Sequence, residues 1–311
     1  MINIVTPAPS DLAGEMRSHP SYLQVQGRIC TLVDNYLAPE KLQQRIQDLP
    51  LQFQNPLSRP WKHINWQAIN CDQVIGIDIA VFLSILKGSL DTEAPIRGYT
   101  QTSRQYLEKL HPKMAHFVGG VVDENQELIE IGLWEKEERQ HTPALLKVYQ
   151  LLTNEKITPL FRQVRGYLPT DNVREDLYRH GLHRIATEYG ATCLYIWLMA
   201  HTTGALQDVF EQLVIDEINH MTKFWGFGVW MYPDTSIFSV IVILLKTRHQ
   251  SYARNNLRRT LQRMMQTLNW EVWTLSNKMT LIFTCVYTML RLLRWNNKLT
   301  REYLCKLFAI A

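Results

Sequence analysis

The sequence lacks an apolar run long enough to cross a bilayer. A transmembrane helix needs about 20 consecutive apolar residues. The two most apolar windows cover residues 237–245 and 279–293; the first is too short, and the second is interrupted by Thr280, Thr284 and Arg291. Residues 1–11 also lack a basic segment followed by an apolar one, so we expect no secretory signal. The chain is therefore predicted to be cytoplasmic, without a membrane span.

Cysteine is sparse and shows no pairing pattern. The five cysteines are odd in number, and none belongs to a C-x-x-C pair: Cys30, Cys71, Cys193, Cys285 and Cys305. Proteins stabilised by a disulfide framework usually have an even number of cysteines in a short secreted chain. We therefore expect reduced thiols, as in a cytosolic protein.

Signals for β-structure are scarce as well. The sequence contains no Asn-Gly hairpin turn, no sustained alternation of apolar and polar residues and no repeat of fixed period. With 46% hydrophobic and 20% charged residues, the composition is that of an ordinary globular protein. An all-α fold is predicted, and 311 residues are enough to bury a large core.

Charge is distributed unevenly along the chain. From residue 231 to the end, twelve Lys and Arg residues stand against three acids, a balance of +9, whereas the other 230 residues carry −5. This asymmetry predicts a basic surface for an acidic partner, or simply a solvated helical face that is basic. No recognised nucleic-acid-binding motif accompanies the basic residues, so we expect no nucleic-acid partner.

Apolar periodicity and breaking residues predict where the helices lie. Residues 49–60 contain three prolines and are expected to form a loop. A helical stretch from residue 71 is expected to break near Gly88 and to resume behind Asp91 or Thr92 as N-cap. The other expected helices cover residues 21–48 with a break near Pro39, residues 113–152 with possible interruptions at Gly119-Gly120 and Pro143, residues 172–201, residues 204–224, and the segment from about residue 236 onward.

Two segments far apart in the chain have the pattern Glu-x-x-His. Glu138 and His141 form the first pair, and Glu217 and His220 form the second. Residues three apart lie on the same face of a helix, so each pair can direct a carboxylate and an imidazole at one ion. A single pair occurs easily by chance, but two pairs in apolar helices, with Glu188 on a helix between them, match the carboxylate di-metal bundle.

The register of two predicted helices supports the same site. If the helices before and after Gly204 form an antiparallel hairpin, Glu188 lies sixteen residues before the turn and Glu217 thirteen residues after it. These separations correspond to about 24 and 20 Å along the helices. The two carboxylates are therefore predicted to lie at nearly the same depth.

The ligand segments resemble those of the soluble acyl-carrier-protein desaturases, a branch of the ferritin-like di-iron superfamily. Trp134-x-x-Glu137-Glu138-x-x-His141 is similar to the family's Trp-x-x-Glu-Glu-x-x-His segment, and Asp216-Glu217-x-x-His220 to its Asp-Glu-x-x-His segment. Thr92-Glu93-Ala94, followed by Tyr99, resembles the first ligand segment. The resemblance covers about residues 70–225 and continues only weakly at Arg294-Trp295 and Leu299-Thr300.

The resemblance implies a single ferritin-like helical domain over residues 1–311. Its core bundle would cover about residues 70–225, preceded by a helical lead-in over residues 1–69 and followed by a basic helical extension over residues 226–311. Two iron ions would be bound, with manganese possible at one position, and Glu138 and Glu217 would bridge them. Asp216 and Trp134 would lie just outside the ligands, with Asp216 accepting a hydrogen bond from a ligand histidine. The implied metal ligands are Glu93, Glu138, His141, Glu188, Glu217 and His220.

Two departures from the family pattern leave alternatives open. Glu93 and Glu138 are forty-five residues apart, more than in the family, and Glu108 is a rival first ligand beside the helix-ending His111-Pro112. The family has Thr three residues after the Glu on the third helix, whereas this chain has Ala191 there and Thr192 one residue later. A hydroxyl at that later position resembles the bacterial multicomponent hydroxylases, and Thr192 is therefore the candidate catalytic residue.

The resemblance implies an O₂-dependent oxidoreductase acting on an acyl chain. The expected reaction is desaturation of a carrier-bound fatty acyl group; the alternatives are hydroxylation, N-oxygenation or oxidative C–C cleavage of another apolar substrate, and a non-enzymatic iron-binding protein. Expected partners are acyl carrier protein or a free fatty acyl substrate, an electron donor such as ferredoxin, and a second copy in a homodimer. We expect an apolar substrate cavity lined by Ile131, Trp134, Ile185, Thr192, Leu213 and Phe224, unless these side chains simply fill the core.

Overall fold

The computed structural model describes residues 20–160, 164, 167, 169–232, 262, 268 and 270–309. These residues are mostly helical, so the prediction of an all-α protein is confirmed. No helix in the described part of the chain is long and apolar enough to cross a membrane. The first helices are α1 (Tyr22–Tyr36), α2 (Pro39–Gln47) and the short α3 (Leu49–Gln52).

The break between α1 and α2 is explained by local chemistry. Ser21 and Gln24 form a reciprocal capping box at the start of α1. Pro39 occupies the first turn of α2, where its missing N–H leaves no hydrogen bond unmade. The expected interruption near Pro39 is therefore present, and α2 packs against the long helix α10 (Gly204–Met231).

Helix α4 (Ile79–Glu93) runs through the position where a break was expected. Asp78 caps it through a hydrogen bond to the backbone N–H of Ala80, and Gly88 lies within it. The break falls instead at Pro95, after which α5 (Ile96–Leu107) begins. Asp91 and Thr92 are therefore not N-caps, and the expectation of a break at Gly88 was wrong, because a single glycine costs an otherwise apolar helix only about 1 kcal/mol.

The long helix expected over residues 113–152 is divided into three helices and a hairpin. Helix α6 (Pro112–Gly119) is followed by the antiparallel strands β1 (Val121–Val122) and β2 (Leu128–Glu130), then by α7 (Leu133–Glu138) and α8 (His141–Thr153). Gly120 has φ +84°, and an added Cβ would lie 1.7 Å from the carbonyl oxygen of Glu130. The chain therefore needs glycine to leave α6 and form the hairpin, and Ile131 lies in the connection before α7 rather than on a helix.

Two long antiparallel helices form the centre of the molecule. Helix α9 (Val173–Ala200) and α10 are joined by a three-residue turn, and Gly204 adopts φ +56° at its end. The expected bounds of α9 differ by one residue at each end, whereas α10 continues seven residues beyond the expected end at Phe224. Helix α1 packs against α9 and α2 against α10, and α7 and α8 also contact α10.

The last described segment contains α11 (Leu275–Asn296) and α12 (Arg301–Ala309). Helix α11 packs against α1, α2 and α9, and α12 packs against α10. Six of the twelve basic residues counted after residue 231 belong to this segment: Lys278, Arg291, Arg294, Lys298, Arg301 and Lys306. The other six lie outside the described residues. The helices expected to begin at about residue 236 also fall first on residues outside the described part of the chain.

Candidate metal centre

Four helical stretches bring the predicted ligands to one place. Potential ligand atoms of Glu93, Glu138, His141 and Glu217 lie within 4.8 Å of one another, and those of Glu138, Glu188, Glu217 and His220 form a second such group. Glu138 and Glu217 belong to both groups, which is the position expected for carboxylates that bridge two ions. The structure therefore brings together all six residues of the predicted set.

The α9–α10 hairpin accounts for two of these positions. Glu188 on α9 and Glu217 on α10 lie at similar distances from the turn, and their carboxylates meet in the second group. The register argument made from the sequence thus describes the observed arrangement. Glu217 and His220 are separated by one turn of an unbroken helix, so both side chains point to the same side of α10.

The first Glu-x-x-His pair spans a helix junction. Glu138 is the last residue of α7 and His141 the first residue of α8. Between them the turn tightens, with the N–H of Gln140 donating to the carbonyl oxygen of Glu137 three residues earlier at 3.0 Å. The backbone remains right-handed at Arg139 and Gln140, so the pair keeps a common side.

Both histidines direct Nδ1 into the carboxylate cluster. His141 Nδ1 lies 3.3 Å from both Glu138 Oε2 and Glu217 Oε1, and His220 Nδ1 lies 3.0 Å from Glu138 Oε1 and 3.5 Å from Glu188 Oε2. Neither Nδ1 has a hydrogen bond of acceptable geometry within the described structure, although both are buried. A buried imidazole nitrogen without such a bond is well suited to donate its lone pair to a metal ion.

The second nitrogen of each histidine faces an acid from the opposite motif. His220 Nε2 lies 2.8 Å from Oε2 of Glu137, which precedes Glu138 on α7, and His141 Nε2 lies 3.5 Å from Oδ2 of Asp216, which precedes Glu217 on α10. Each motif thus places an acid beside the histidine of the other, at hydrogen-bond distance for His220 and as a longer contact for His141. The expected role of Asp216 fits this arrangement, whereas the matching role of Glu137 was not predicted, although its place directly before Glu138 was a signal for it.

A loop residue, Arg59, connects these two outer acids. Its backbone N–H donates to Glu137 Oε1 at 2.8 Å, and its guanidinium donates to Asp216 Oδ1 at 2.6 Å. Trp61 Nε1 also donates to Asp216, through Oδ2 at 2.7 Å. Arg59 and Trp61 were not predicted, because they lie at and just after the end of the proline-rich loop, where no periodicity relates them to the helices.

Two further side chains fix the ligand carboxylates. Trp134 Nε1 donates to Glu138 Oε1 at 3.0 Å, consistent with its expected place beside the ligands. Tyr195, which was not predicted, donates to Glu93 Oε1 at 2.8 Å from α9. The guanidinium of Arg184 lies over the Trp134 ring, 4.9 Å from its centroid, and so holds the indole from the other side.

The rival first ligand lies elsewhere. Glu108 follows the last residue of α5, is 41% exposed, and pairs with Arg104 one turn earlier. Glu93, the last residue of α4, reaches the cluster, with Oε2 3.9 Å from His141 Nδ1. The structure therefore places Glu93, and not Glu108, beside the other five residues.

Burial and close contact shift the pKa values of the carboxylates and histidines in the cluster. Burial, followed by the negative charge of Glu138, raises the pKa of Glu93 and of Glu217 above the usual range. Burial alone would lower the pKa of His141 and His220, but the adjacent carboxylates raise both values well above 6.5. Burial would also raise the pKa of Glu138, yet the two histidines lower it. The four carboxylates thus need protons or cations to balance their charge.

The residues fit a pair of divalent cations. Two such ions would balance four carboxylates, two shared carboxylates match bridging ligands, and the two Nδ1 atoms supply one nitrogen for each ion. Carboxylates with imidazoles are the donors expected for iron or manganese, whereas a zinc site would be richer in nitrogen or sulfur.

The remaining predicted residues are mostly packed in the core. Trp134, Thr192, Leu213 and Phe224 are buried, and the rings of Trp134 and Phe224 meet edge to face at 5.8 Å. Ile185 is half-buried. The hydroxyl of Thr192 is buried without a hydrogen-bond partner in the described structure, one helical turn after Glu188.

Comparison with family models, with curated proteins and with solved structures finds no match to this chain.

Proposed function

We propose that the protein is a non-haem di-iron oxidoreductase that uses O₂ to oxidise an acyl chain. The observation that supports the proposal is the meeting of two Glu-x-x-His pairs with Glu93 and Glu188 in one buried cluster. The six residues would hold two iron ions, with manganese possible at one position, in a ferritin-like bundle made by α4, α7–α8, α9 and α10. When bound, such a metal pair supplies the capacity to activate O₂ for attack on an unactivated carbon.

The protein's own residues would prepare the site for this chemistry. Glu137 would accept from His220 Nε2–H and fix the tautomer of that imidazole, while Asp216 faces His141 Nε2 at 3.5 Å; this arrangement leaves each Nδ1 free to bind metal. Arg59 holds both acids in position. The surrounding apolar core covers most of the cluster and would limit its contact with water, as oxidative chemistry requires.

Desaturation of a carrier-bound fatty acyl group is the proposed reaction, and hydroxylation is the second candidate. The position of Thr192 four residues after Glu188, with an unpartnered buried hydroxyl, favours hydroxylation. N-oxygenation and oxidative C–C cleavage would use the same ligands. A ferritin-like iron-binding protein is the non-enzymatic alternative, and it would take up iron without oxidising an acyl substrate.

The proposed partners are acyl carrier protein or a free fatty acyl substrate, an electron donor such as ferredoxin, and a second copy of the chain. An acidic carrier or donor would complement the basic residues of α11 and α12. Helix α11 also exposes an apolar stripe that supports a homodimer, formed by Leu275, Met279, Ile282, Val286 and Leu290.

Iron stoichiometry tests the site directly. After anaerobic reconstitution we expect two iron ions per chain, and the variants His141→Ala and His220→Ala should lose iron while their helical circular dichroism is retained. The control variant His63→Ala changes a histidine in the proline-rich region outside the cluster and should bind iron normally. Iron content near zero in the wild-type protein would refute the assignment.

The reaction is tested by mixing the ferrous protein with acyl substrates, adding O₂ and weighing the acyl product. Loss of two hydrogens identifies desaturation, and gain of one oxygen identifies hydroxylation. If iron is bound and O₂ is consumed but no acyl product changes mass, the acyl-oxidase function is wrong and the iron-binding alternative stands.

A further inference from the structure

A cleft of about 650 Å³ opens between the first turns of α5 and the junction of α7 and α8. Pockets for small ligands commonly fall in the range of roughly 300–1,000 Å³. The walls are mainly apolar and include Pro95, Ile96 and Pro143, while none of the residues predicted to line a substrate cavity contributes to it. The cleft can therefore enclose an apolar body, and it differs from the cavity expected from the sequence.

This cleft is adjacent to the metal centre. Ala94 in its wall follows the candidate ligand Glu93, and Thr142 in its wall follows His141. Glu93 is also the ligand candidate with the greatest solvent contact, at 12% of its side chain, whereas the other five are buried. The wall of the cleft thus includes the residues that directly follow two of the candidate ligands.

The cleft has positive but no negative side chains. Arg97 and Arg139 line it, and its described lining contains no acid. Arg97 is exposed and makes no ion pair within the described part of the chain. Arg139 pairs with Glu135 one turn earlier, and 28% of its side chain remains exposed.

These donors suit a small anion. A carboxylate can accept two charge-assisted hydrogen bonds from a guanidinium, one through each oxygen. A neutral ligand would form no charge-assisted hydrogen bond with the arginines, and a cationic one would be repelled by both of them. The apolar walls then require an alkyl body behind the anionic end.

We propose that this cleft binds the substrate as a free long-chain carboxylate, with its anionic end held by Arg97 and Arg139 and its alkyl chain directed along the cleft toward Glu93. The inference rests on the proposed oxidation of an acyl chain and selects the free acid from the two proposed forms of the substrate, in place of the carrier-bound acyl group. The cleft is the substrate entrance of the same metal centre.

Calorimetric titration of the isolated protein with hexadecanoate, below its micellar concentration, tests this inference without turnover. We expect one site, with methyl hexadecanoate binding at least about tenfold more weakly, because the ester loses its charge-assisted hydrogen bonds. Arg97→Gln should weaken hexadecanoate binding by about the same factor. Arg294→Gln removes an exposed arginine on α11 and should leave binding unchanged.

A second variant tests whether hexadecanoate binds in the cleft and leaves the charge of the cleft unchanged. Thr102 lines the cleft from α5 and is half-buried, so Thr102→Trp should fill the cleft and abolish binding while circular dichroism and iron content stay normal. Normal hexadecanoate affinity in either cleft variant overturns the inference. So does equal affinity for the methyl ester, or binding of hexadecanoyl-acyl-carrier-protein by a protein that does not bind the free acid.

Failure of this inference and failure of the proposed function give different results. A protein that binds two iron ions but no hexadecanoate retains its metal centre and loses only the free-acid substrate. A protein that binds hexadecanoate through Arg97 but takes up no iron has the cleft without the proposed chemistry.

Discussion

Each Glu-x-x-His segment supplies the acid that faces the candidate ligand histidine of the other segment. Glu137 comes from the first Glu-x-x-His segment and accepts from the histidine of the second, while Asp216 comes from the second and faces the histidine of the first. Arg59 contacts both acids. Displacement of α7 relative to α10 would therefore disturb both histidines, which makes the relative position of these two helices a condition for the proposed metal binding.

The two candidate first ligands give a matched pair of variants. Glu93→Gln should remove a carboxylate from one ion and lower the iron content, because a neutral amide is a weak ligand for iron. Glu108→Gln makes the same change on an exposed side chain paired with Arg104 and should leave iron content at the wild-type value. Iron analysis after gel filtration distinguishes them, and equal iron content in the two variants would contradict the role of Glu93.

At the scale of single residues, the sequence was informative only where a pattern repeats. Two Glu-x-x-His pairs and the register of Glu188 against Glu217 predicted the residues that meet in the cluster. Tyr195 had no such signal, since a lone tyrosine in an apolar helix usually packs in the core. Its contact with Glu93 arises from the packing of α9 near the end of α4, which no local pattern specifies.

At the scale of helices, capping and packing decided where prediction succeeded. The bounds of α9 were nearly correct because Asn172 accepts from the N–H of Glu175 and a turn begins at His201. In the helix expected over residues 113–152 the interruption at Gly119-Gly120 is present, but the hairpin after it was not predicted, because β1 and β2 are short and mostly exposed and leave no alternating pattern. Gly119 and Gly120 marked the end of the helix but gave no sign of the hairpin after it.

Two glycines in the central helices predict opposite effects of one substitution. A Cβ at Gly226 on α10 would lie 1.7 Å from Cδ1 of the buried Ile46, whereas a Cβ at Gly181 on α9 would meet nothing within 4 Å. Gly181→Ala should raise the free energy of unfolding by ~1 kcal/mol through helix propensity. Gly226→Ala should lower it by ~1–2 kcal/mol, because overpacking α10 against α2 exceeds that gain. Urea denaturation measures the unfolding free energy of both variants. If Gly226→Ala stabilises the protein, Ile46 on α2 can move aside at little cost.

The turn between α9 and α10 predicts a pH dependence of stability. Burial lowers the pKa of His201 to about 4 from 6.5, while its Nδ1 stays 2.8 Å from the carbonyl oxygen of Trp197. In the unfolded chain the His201 imidazole binds a proton near pH 6.5, whereas in the folded protein it does so only near pH 4. The contribution of neutral His201 to the free energy of unfolding is therefore complete above pH 6.5 and is lost as pH falls from 6.5 to 4. The loss is about 3 kcal/mol.

Comparison with His201→Gln isolates this contribution from other titrating groups. The variant can still donate a hydrogen bond to Trp197 but has no proton to gain. Unfolding free energies measured between pH 7 and 4 should therefore fall more steeply in the wild-type protein than in the variant. Parallel pH profiles would mean that His201 is protonated as easily in the folded state as in the unfolded chain.

For the whole molecule, the candidate metal centre couples charge balance to stability. Four carboxylates meet in the core beside only two histidines, and Arg59 is already engaged with Asp216. Without cations the cluster must retain protons, which the raised pKa values of Glu93 and Glu217 indicate. Ions that bind only the folded state would therefore stabilise the whole bundle, since all four ligand-bearing stretches contribute to the same cluster.

Helix α11 exposes a stripe of apolar side chains that could form the interface of the proposed homodimer. Leu275, Met279, Ile282, Val286 and Leu290 are each 46–76% exposed and recur at spacings of three and four, so they form one apolar stripe along the helix. The opposite face of α11 packs against α1 and α9. A second copy of the same stripe, placed antiparallel across a two-fold axis, would cover these side chains in both copies.

Introducing a charge at the middle of the stripe tests this assembly. We expect the wild-type protein to have the mass of a dimer in light scattering and Ile282→Glu to have the mass of a monomer, because each copy would bury an unpaired carboxylate at the two-fold axis. Gln105→Glu adds the same charge at an exposed position on α5 and should remain dimeric. A wild-type monomer would exclude the homodimer. A dimer that persists in Ile282→Glu would place the interface away from α11, so that the stripe must serve another contact.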